Sequence, residues 1–388
     1  MKNVSAKTFW LCILAGVAIR FLFMQAGYNY DFESWCVVGD LAAAGKNVYA
    51  NTHRYNYGPV WFTLLGLFWR TASYFGGKAL VSLLAFRCLI VGTLTLADFL
   101  IARLVAKKAG TFWGAVFFLN PVSLIISGCH NQFDNIAVLF GALGVCFIEK
   151  SCSESEMKTE DLLGTVLFSL SMITKHILFA FPVWILMNTK INTRKKFLYA
   201  FVPAILFLLS FVPYWGEGSQ RIINRVFMYK AGDNFPLFAL SILKHFGYSL
   251  PFIGRPVFFM FLLAGAYVFR NKNIYESFLL YTITLVCFSS AVANQYMVIP
   301  CMALIILCGK HSIPFFFAAM VYLTLNWNGL NIMVLLEKYC GIVIPYNAFV
   351  QFFTSGNSMP VVVIWCLLYS FIYCYRRRNI SNTLPAQA

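Results

Sequence analysis

The chain has 388 residues, of which 60% are hydrophobic and only 11% are charged. Soluble domains carry about 25% charged residues, and this sequence contains many apolar runs close to the roughly 20 residues that cross a bilayer as a helix. The composition excludes a soluble enzyme or binding module and predicts an all-α, polytopic membrane protein. The net charge of +16 does not indicate a nucleic-acid partner, because the cations cluster in short loops between apolar runs.

The twelve cysteines are scattered along the chain, several of them inside apolar runs. No CxxC pair and no Cys/His spacing typical of zinc ligands occurs. We therefore expect no structural zinc site.

The basic loops orient the predicted spans. Because Lys and Arg concentrate in cytoplasmic loops, about twelve transmembrane helices with both chain ends in the cytoplasm satisfy the pattern. The clusters placed in the cytoplasm are Lys2/Lys7, Arg103/Lys107/Lys108, Lys190/Arg194/Lys195/Lys196, Arg270/Lys272, Lys310 and Arg376/Arg377/Arg378.

The first predicted span, Thr8–Ala26, is too long for a signal peptide and lacks its cleavage site, so we expect it to be retained. A long external segment then runs from Gly27 to about Leu84. Within it, Pro59–Phe75 is apolar, but counting it as a span would reverse the side of the next basic loop. We predict an interfacial or re-entrant helix there. Spans two to four follow at Ala85–Ala102, Thr111–Gly128 and Phe133–Ile148.

The loop Glu149–Asp161 is the most polar stretch and is predicted to be solvated in the cytoplasm. The apolar stretch Leu162–Met187 is broken by Lys175 and His176. A single crossing would put the next basic loop on the external side of the membrane. We therefore predict two short helices that meet near Lys175 at the external face. Charged residues at such a break are usually functional.

The remaining chain contains six further predicted spans and two more external segments. The external segments run from Gly216 to about Arg255 and from Asn326 to Met359. The spans are Phe197–Trp215, Pro256–Phe269, Ile274–Ala291, Met297–Leu307, Ile313–Leu325 and Pro360–Tyr375.

The chain has only 14 acidic residues, yet two of them, Asp31 and Glu33, stand directly after the first span. With bases and cations on the same predicted face, they suit displacement of a phosphate leaving group, in which a carboxylate takes a proton and cations stabilise the departing charge. Helix capping or simple solvation explains the two acids equally well. The ionisable residues of that face are Asp31, Glu33, Asp40, His53, Arg54, Arg87, His130, Asp134, Lys175, His176, Arg221 and Arg225.

Other polar residues have two interpretations each. His130 and Asp134 are spaced i,i+4 and would face one way on a helix that starts there, as a site or as a pair that closes a helix junction. Lys175 and His176 suit phosphate contact, although a lysine there could also reach the interface. Tyr55 and Tyr57 flank a turn and could stack on a sugar or form part of an interfacial aromatic belt.

Two further basic side chains are expected to be structural. Arg20, near the outer end of the first span, is expected to snorkel to the interface rather than bind phosphate. Arg87 and Asp98 are eleven residues apart and share a helix face, which favours a structural pair.

Several stretches between residues 15 and 185 together resemble one family. They are Tyr-Asp-Phe-Glu-Ser-Trp (30–35), Gly-Lys-Asn-Val-Tyr (45–49), Tyr-Asn-Tyr-Gly-Pro (55–59), Asn-Pro (120–121), His-Asn-Gln-Phe-Asp (130–134), and Thr-Lys-His (174–176) with Phe-Pro (181–182). The pattern resembles the GT-C glycosyltransferases, membrane enzymes that take a sugar from a polyprenyl-phosphate carrier. The resemblance divides the chain into a catalytic transmembrane module at 1–190 and a variable one at 191–388.

Two branches of that superfamily are similar. Asp-Phe-Glu, His-Asn-Gln-Phe-Asp and Lys175 resemble the dolichol-linked-oligosaccharide glucosyltransferases, whereas Gly-Lys-Asn-Val-Tyr and Arg54-Tyr55 resemble the GPI mannosyltransferases and their bacterial relatives. Gly58-Pro59 stands where the family has Pro-Pro or Thr-Pro, and the first acidic pair is Asp-x-Glu rather than Asp-x-Asp. The donor sugar, mannose or glucose, and the acceptor stay open.

The resemblance implies an inverting hexosyltransferase with a GT-C-like fold and a long first external loop. Asp31 is then the general base or the group that orients the acceptor hydroxyl. Glu33 and Asp134 support it or bind Mg²⁺ or Mn²⁺ if a divalent ion is used, and His130 is a further catalytic residue. Lys175, His176, Arg221 and Arg225 hold the donor phosphate. The implied partners are a polyprenyl-phosphate sugar, a lipid-linked glycan acceptor and membrane lipids. The active face is luminal in the endoplasmic reticulum of a eukaryote, or external at a prokaryotic plasma membrane.

Two other functions remain open from the sequence. A transporter or lipid flippase could line a substrate path with the same charges, and charges spread through the depth of the membrane would favour it. A subunit with the fold but without activity is the third.

Overall fold

The computed structural model describes residues 3–27, 30–75, 79–228, 237–246, 254–290, 292–325, 336–337, 340–342 and 358–383. Within these ranges the chain forms helices and no strands, which confirms the all-α class. The predicted external segment Asn326–Met359 lies in large part outside the described residues, as do residues 229–236 and 247–253 of the segment Gly216–Arg255. Lys2 and the side chains of Arg376–Arg378 also lie outside them.

Seventeen α-helices are defined in the described chain. They are α1 (Ala6–Gln25), α2 (Tyr30–Ala43), α3 (Val48–Asn51), α4 (Pro59–Tyr74), α5 (Ala79–Ala109), α6 (Thr111–Leu119), α7 (Pro121–Ile125), α8 (Asp134–Ile148), α9 (Thr159–Thr174), α10 (Phe181–Met187), α11 (Thr193–Leu209), α12 (Trp215–Arg221), α13 (Gly254–Val268), α14 (Ile274–Cys287), α15 (Cys301–Cys308), α16 (Ile313–Leu325) and α17 (Ser358–Thr383). π-Helical turns, Ile126–His130 and Ile222–Phe227, follow α7 and α12.

Several helical stretches are long and apolar enough to cross a membrane. Of the described residues, four stretches meet that condition alone, and two more do so if each bent pair of helices counts as one. These helices make the protein membrane-embedded in character, whereas the count of twelve spans stays a prediction. The four are Ala6–Gln25, Val81–Ala109, Thr193–Phe227 and Asn294–Leu325, and the bent pairs are Thr111–Leu119 with Pro121–His130 (43°) and Thr159–Thr174 with His176–Met187 (109°).

The stretch Asn294–Leu325 turns back on itself. The Tyr322 hydroxyl donates to the side-chain oxygen of Asn294, 28 residues earlier, although a straight helix of that length would separate the two by about 42 Å. The reversal falls at Gly309–Ser312, a 3₁₀ turn in which Gly309 has a φ of +54°. It coincides with the basic loop that the sequence predicts around Lys310.

The predicted interfacial helix is α4, which packs on α2. The two backbones approach closely, since a Cβ added to Gly66 would lie 2.8 Å from the Ala42 Cβ. Arg70 also donates to the Ala43 carbonyl at the end of α2, at 2.8 and 2.6 Å. The next helix, α5, is longer at both ends than the predicted span Ala85–Ala102.

The expectation that Arg20 snorkels is wrong, and so is the expected pairing of Arg87 with Asp98. Arg20 does not reach the interface: it is fully buried, and its guanidinium donates to Asp98 at 2.9 and 3.1 Å. Asp98 therefore pairs with α1 rather than with Arg87. Ser123 and Ser127 also donate to Asp98, each at 2.7 Å, as does Asn135. This cluster ties α1, α5, α7 and α8 together.

The loop Glu149–Asp161 is only partly solvated. Residues 153–159 are exposed, but Ser151 and Asp161 are buried. Asp161 accepts from Ser151 at 2.5 Å and from Lys195 at 2.7 Å, and it also accepts from the Tyr199 hydroxyl. Lys195, predicted in a basic cytoplasmic loop, is thus a buried partner that joins α9 to α11.

Candidate active site

Helices α8 and α9 form an antiparallel pair whose close packing depends on two glycines. A Cβ on Gly144 would lie 2.9 Å from the Gly164 carbonyl oxygen, and one on Gly164 would lie 2.8 Å from the Gly144 carbonyl oxygen. Small residues let helix backbones approach in this way. The register brings the first residue of α8, Asp134, to the residue that ends α9, Lys175.

Lys175 and Asp134 form a buried ion pair at this end of the helices. The ammonium Nζ lies 2.7 Å from Asp134 Oδ2, and the two side chains are 4% and 0% exposed. Lys175 itself has left the helix, with a φ of −151°, and the chain then bends by 109°. The break that the sequence predicts at Lys175 and His176 is therefore present.

Two aromatic rings enclose the Lys175 ammonium. Its Nζ lies 4.8 Å from the ring centre of Tyr57 and 4.9 Å from that of Phe133. Phe133 stacks on Trp61 at 4.5 Å between centroids and an interplanar angle of 13°. Cation–π attraction of this kind stabilises a desolvated ammonium, so the rings hold Lys175 in place beside Asp134.

The turn at residues 55–59 presses on the end of α9. A Cβ on Gly58 would lie 1.8 Å from the Ile173 carbonyl oxygen, so a glycine is needed for this contact. Tyr55 is 1% exposed and donates its hydroxyl to the Gly58 carbonyl at 2.6 Å. It therefore shapes the turn from a buried position, and the stacking of Tyr55 on a sugar stays a prediction. Of the two tyrosines in this turn, Tyr57 is the one that lies against Lys175.

Asn131 is the junction that docks α2 and α5 against the start of α8. It adopts a left-handed conformation, with a φ of +57°. Its carbonyl accepts from Trp35 Nε1 at 3.0 Å, and its side-chain oxygen accepts from Arg87 Nε at 2.9 Å. Asp31 lies one helical turn before Trp35, on the same face of α2.

Asp31 is electrostatically coupled to the ion pair. Its pKa is raised above the usual value, mainly because burial disfavours the charged carboxylate. The Lys175 charge lowers the Asp31 pKa, and the Asp134 charge raises it. Asp31, Asp134 and Lys175 therefore belong to one cluster, which we call the acid–lysine cluster.

Glu33 does not join this cluster. Residues i and i+2 of a helix point about 200° apart, so Glu33 leaves the face that carries Asp31. Its carboxylate is half exposed and lies 3.6 Å from the Arg54 guanidinium, which also stacks over the Tyr30 ring at 4.5 Å. Glu33 belongs to an exposed rim beside the cluster.

His130 and Asp134 are not on one helix, so that expectation is wrong. His130 ends the π-helical turn Ile126–His130, Asn131 breaks the chain direction, and α8 begins at Asp134. His130 is buried and His176 is half-buried. Twelve buried side-chain atoms of the described chain lack a hydrogen-bond partner, and His130 Nε2, His176 Nδ1 and Asp134 Oδ1 are among them. Native interiors rarely leave such atoms unsatisfied. The presence of His130 Nε2, His176 Nδ1 and Asp134 Oδ1 near one helix break is typical of a site that a ligand completes.

Arg221 and Arg225 lie on the exposed side of the chain. Arg221 donates to the carbonyl of Ala50 at 2.5 Å and of Tyr49 at 3.4 Å, at the end of α3. Arg225 is exposed. Neither arginine contacts Lys175 in the described structure, so their role in holding a donor phosphate stays a prediction.

Among the residues that the structure describes, no group of three or more His, Cys, Asp or Glu side chains is placed to hold a metal ion. The positive charge next to Asp31 and Asp134 is the Lys175 ammonium. Sequence reasoning missed Phe133 and Asn131 as parts of the site. The left-handed conformation of Asn131 has a weak local signal, because asparagine tolerates that region better than most residues.

Comparison with known proteins adds no family assignment. A scan against protein-family models finds no match, and no curated protein matches the chain.

Proposed function

We propose that the chain is an inverting glycosyltransferase that moves a hexose, mannose or glucose, from a polyprenyl-phosphate carrier to a lipid-linked glycan acceptor. The observation that carries the proposal is the acid–lysine cluster: a buried cation, a carboxylate with a raised pKa and unsatisfied polar atoms meet at a helix break. In an apolar chain, burial of these groups is costly unless a ligand uses them.

Lys175 suits the donor phosphate. Its ammonium carries three donors, and the Asp134 carboxylate accepts only one of the contacts that the ammonium can make. A phosphate oxygen can approach the free side of the ammonium, where the low dielectric strengthens the attraction. His176 Nδ1 and His130 Nε2 supply further polar contacts.

Asp31 suits the general base. Its carboxylate takes the proton of the acceptor hydroxyl, and the acceptor oxygen attacks the anomeric carbon. The bond between that carbon and the phosphate oxygen breaks, and the electron pair leaves on the polyprenyl phosphate, whose charge Lys175 stabilises. A single displacement inverts the anomeric configuration. A raised pKa makes the ionised Asp31 carboxylate a stronger base for this proton.

The test is sugar transfer by the purified protein in detergent. The donors are short-chain polyprenyl-phosphate mannose and glucose, with a lipid extract as acceptor, and the variant is Asp31→Asn. The matched control is Asp40→Asn, which makes the same chemical change at an exposed position of the same helix. We expect a glycosylated product from the wild type and from Asp40→Asn, and a loss of at least about 100-fold in Asp31→Asn, as for removal of a general base.

The outcome separates three conclusions. Transfer that survives Asp31→Asn keeps the enzyme and moves the base to Asp134. No transfer from any donor, with donor binding still measurable, rejects the enzyme. The size-exclusion profile of each variant checks its folding.

A membrane transporter or lipid flippase is the second candidate, and one observation favours it. Charge lies in the interior of the helices as well as at the candidate site, because Arg20 and Asp98 are fully buried. However, Ser123, Ser127 and Asn135 also bond to Asp98, so this pair resembles a structural tie more than a substrate path. Movement of an unmodified polyprenyl-phosphate sugar across proteoliposomes would support transport.

A further inference from the structure

A cavity of about 510 Å³ lies at the end of the molecule opposite the acid–lysine cluster. Helix α8 connects the two ends: it begins at Asp134 and ends at Ile148, which at 1.5 Å per residue spans about 22 Å. The next residue, Glu149, bonds to Lys108 at 3.1 Å, and Lys108 lines the cavity. The cavity is therefore separate from the candidate active site.

The cavity combines a basic rim with an apolar floor. Lys108, at the end of α5, and Lys310 and His311, in the turn between α15 and α16, supply the basic side chains. Trp113 of α6 forms one wall, and the isoleucines and leucine at 305–307 of α15 form the floor. Gly309 lies beside the Trp113 indole and has a φ of +54°, a backbone conformation that favours glycine.

The rim carries more positive charges than there are described carboxylates paired with them. Glu149 forms an ion pair with Lys108, and the His311 ring stacks on the Tyr373 ring at 3.6 Å between centroids. Lys310 is exposed, and no carboxylate of the described chain forms an ion pair with it. The cavity thus offers an unneutralised ammonium above an apolar surface.

We propose that this cavity binds the phosphate headgroup of an anionic phospholipid. Basic pockets between membrane helices on the cytoplasmic side recognise such headgroups, and the tryptophan wall is typical of the level of the membrane interface. A second cavity, an apolar groove of about 530 Å³, starts at the neighbouring Phe112 and extends along α6 to Pro121. The groove gives an acyl chain apolar surface close to the headgroup. This proposal does not depend on the proposed function.

The test counts lipids bound to the full-length protein by native mass spectrometry. The probes are phosphatidylglycerol, phosphatidylcholine and inorganic phosphate, and the variants are Lys310→Gln and Lys108→Gln/Lys310→Gln. The matched control is Lys190→Gln, an exposed lysine outside the cavity in another basic loop of the same predicted face. We expect one retained phosphatidylglycerol, with its Kd raised about fivefold per lysine removed and unchanged within about twofold in the control.

Three results would overturn the assignment. Equal retention of phosphatidylcholine would mean that the cavity does not recognise the negative charge of the lipid headgroup. Equal weakening by Lys190→Gln would indicate a general surface field rather than a site. Displacement of the lipid by inorganic phosphate would assign a soluble anion instead. Lys310→Gln keeps the test informative if the double variant is unstable, because Lys310 forms no ion pair among the described residues that the substitution would break.

Discussion

At the scale of single residues, Asp31 owes its properties to two charges that are distant in sequence. Burial raises the Asp31 pKa, the Lys175 charge lowers it and the Asp134 charge raises it. A base must be ionised to accept a proton. If Asp31 is the base, the rate of sugar transfer therefore falls as the pH drops through its raised pKa. The acid limb should therefore lie above the ordinary aspartate value of about 3.9.

The two partners of Asp31 should move this limb in opposite directions. Lys175→Met removes the charge that lowers the pKa, so the acid limb of kcat/KM should move to higher pH. Asp134→Asn removes the charge that raises it, so the limb should move to lower pH. The measurement is the pH profile of residual transfer, with the infrared band of the protonated Asp31 carboxyl as a readout that needs no activity.

The control for this pair of shifts is Asp40→Asn, whose exposed carboxylate is not among the groups that shift the Asp31 pKa. A shift in the same direction for Lys175→Met and Asp134→Asn would contradict the coupling. Unchanged profiles in both variants would mean that a group other than Asp31 controls the acid limb.

At the scale of elements, the contact between the turn at 55–59 and the end of α9 keeps the Tyr57 ring over Lys175. Gly58 permits this contact because its missing Cβ would fall inside the Ile173 carbonyl. The carbonyl belongs to the backbone and cannot rotate away as a side chain could. A larger residue must therefore push the turn off the helix.

We predict that Gly58→Ala lowers stability by about 1–3 kcal/mol, the usual cost of overpacking, and lowers transfer because Tyr57 leaves Lys175. Gly92→Ala is the matched control, since a Cβ at Gly92 of α5 meets nothing within 4 Å and alanine favours a helix. Thermal unfolding in detergent measures both. A Gly58→Ala protein as stable as Gly92→Ala would show that the turn does not press on α9 in solution.

At the scale of the whole molecule, the Arg20–Asp98 pair organises the first half of the chain. Donors on α1, α7, the π-helical turn that follows α7, and α8 satisfy the buried carboxylate of Asp98 on α5. The Arg20 guanidinium also lies 4.3 Å from the Phe118 ring centre. Removing one partner of such a pair leaves an uncompensated charge in an apolar interior.

Arg20→Met should therefore cost roughly 3–5 kcal/mol, seen as a large fall in the unfolding temperature in detergent. The double variant Arg20→Met/Asp98→Leu removes both charges and should recover part of the loss. Arg103→Met is the control, because it deletes an arginine of α5 that forms no ion pair in the described chain. A double variant as unstable as the single one would mean that packing, not the unpaired charge, determines the loss.

The predictions from sequence succeeded where a local pattern was sufficient. The apolar runs indicated an all-α membrane chain, and the break at Lys175 followed from a charged pair in an apolar stretch. Predictions failed where a side chain's partner lay elsewhere in the fold. Arg20 was expected to snorkel, Arg87 was paired with Asp98, and His130 was placed on the helix of Asp134.

The sequence by itself thus determined the class of the protein and the stretches that carry its polar groups, because hydrophobic length and charge position are local properties. Only the tertiary structure decided which of those groups meet. Lys175 reaches Asp134 across 41 residues and Arg20 reaches Asp98 across 78. Such pairs form because an apolar interior forces each buried charge to find its partner, and helix packing, which no single stretch encodes, determines which partner is within reach.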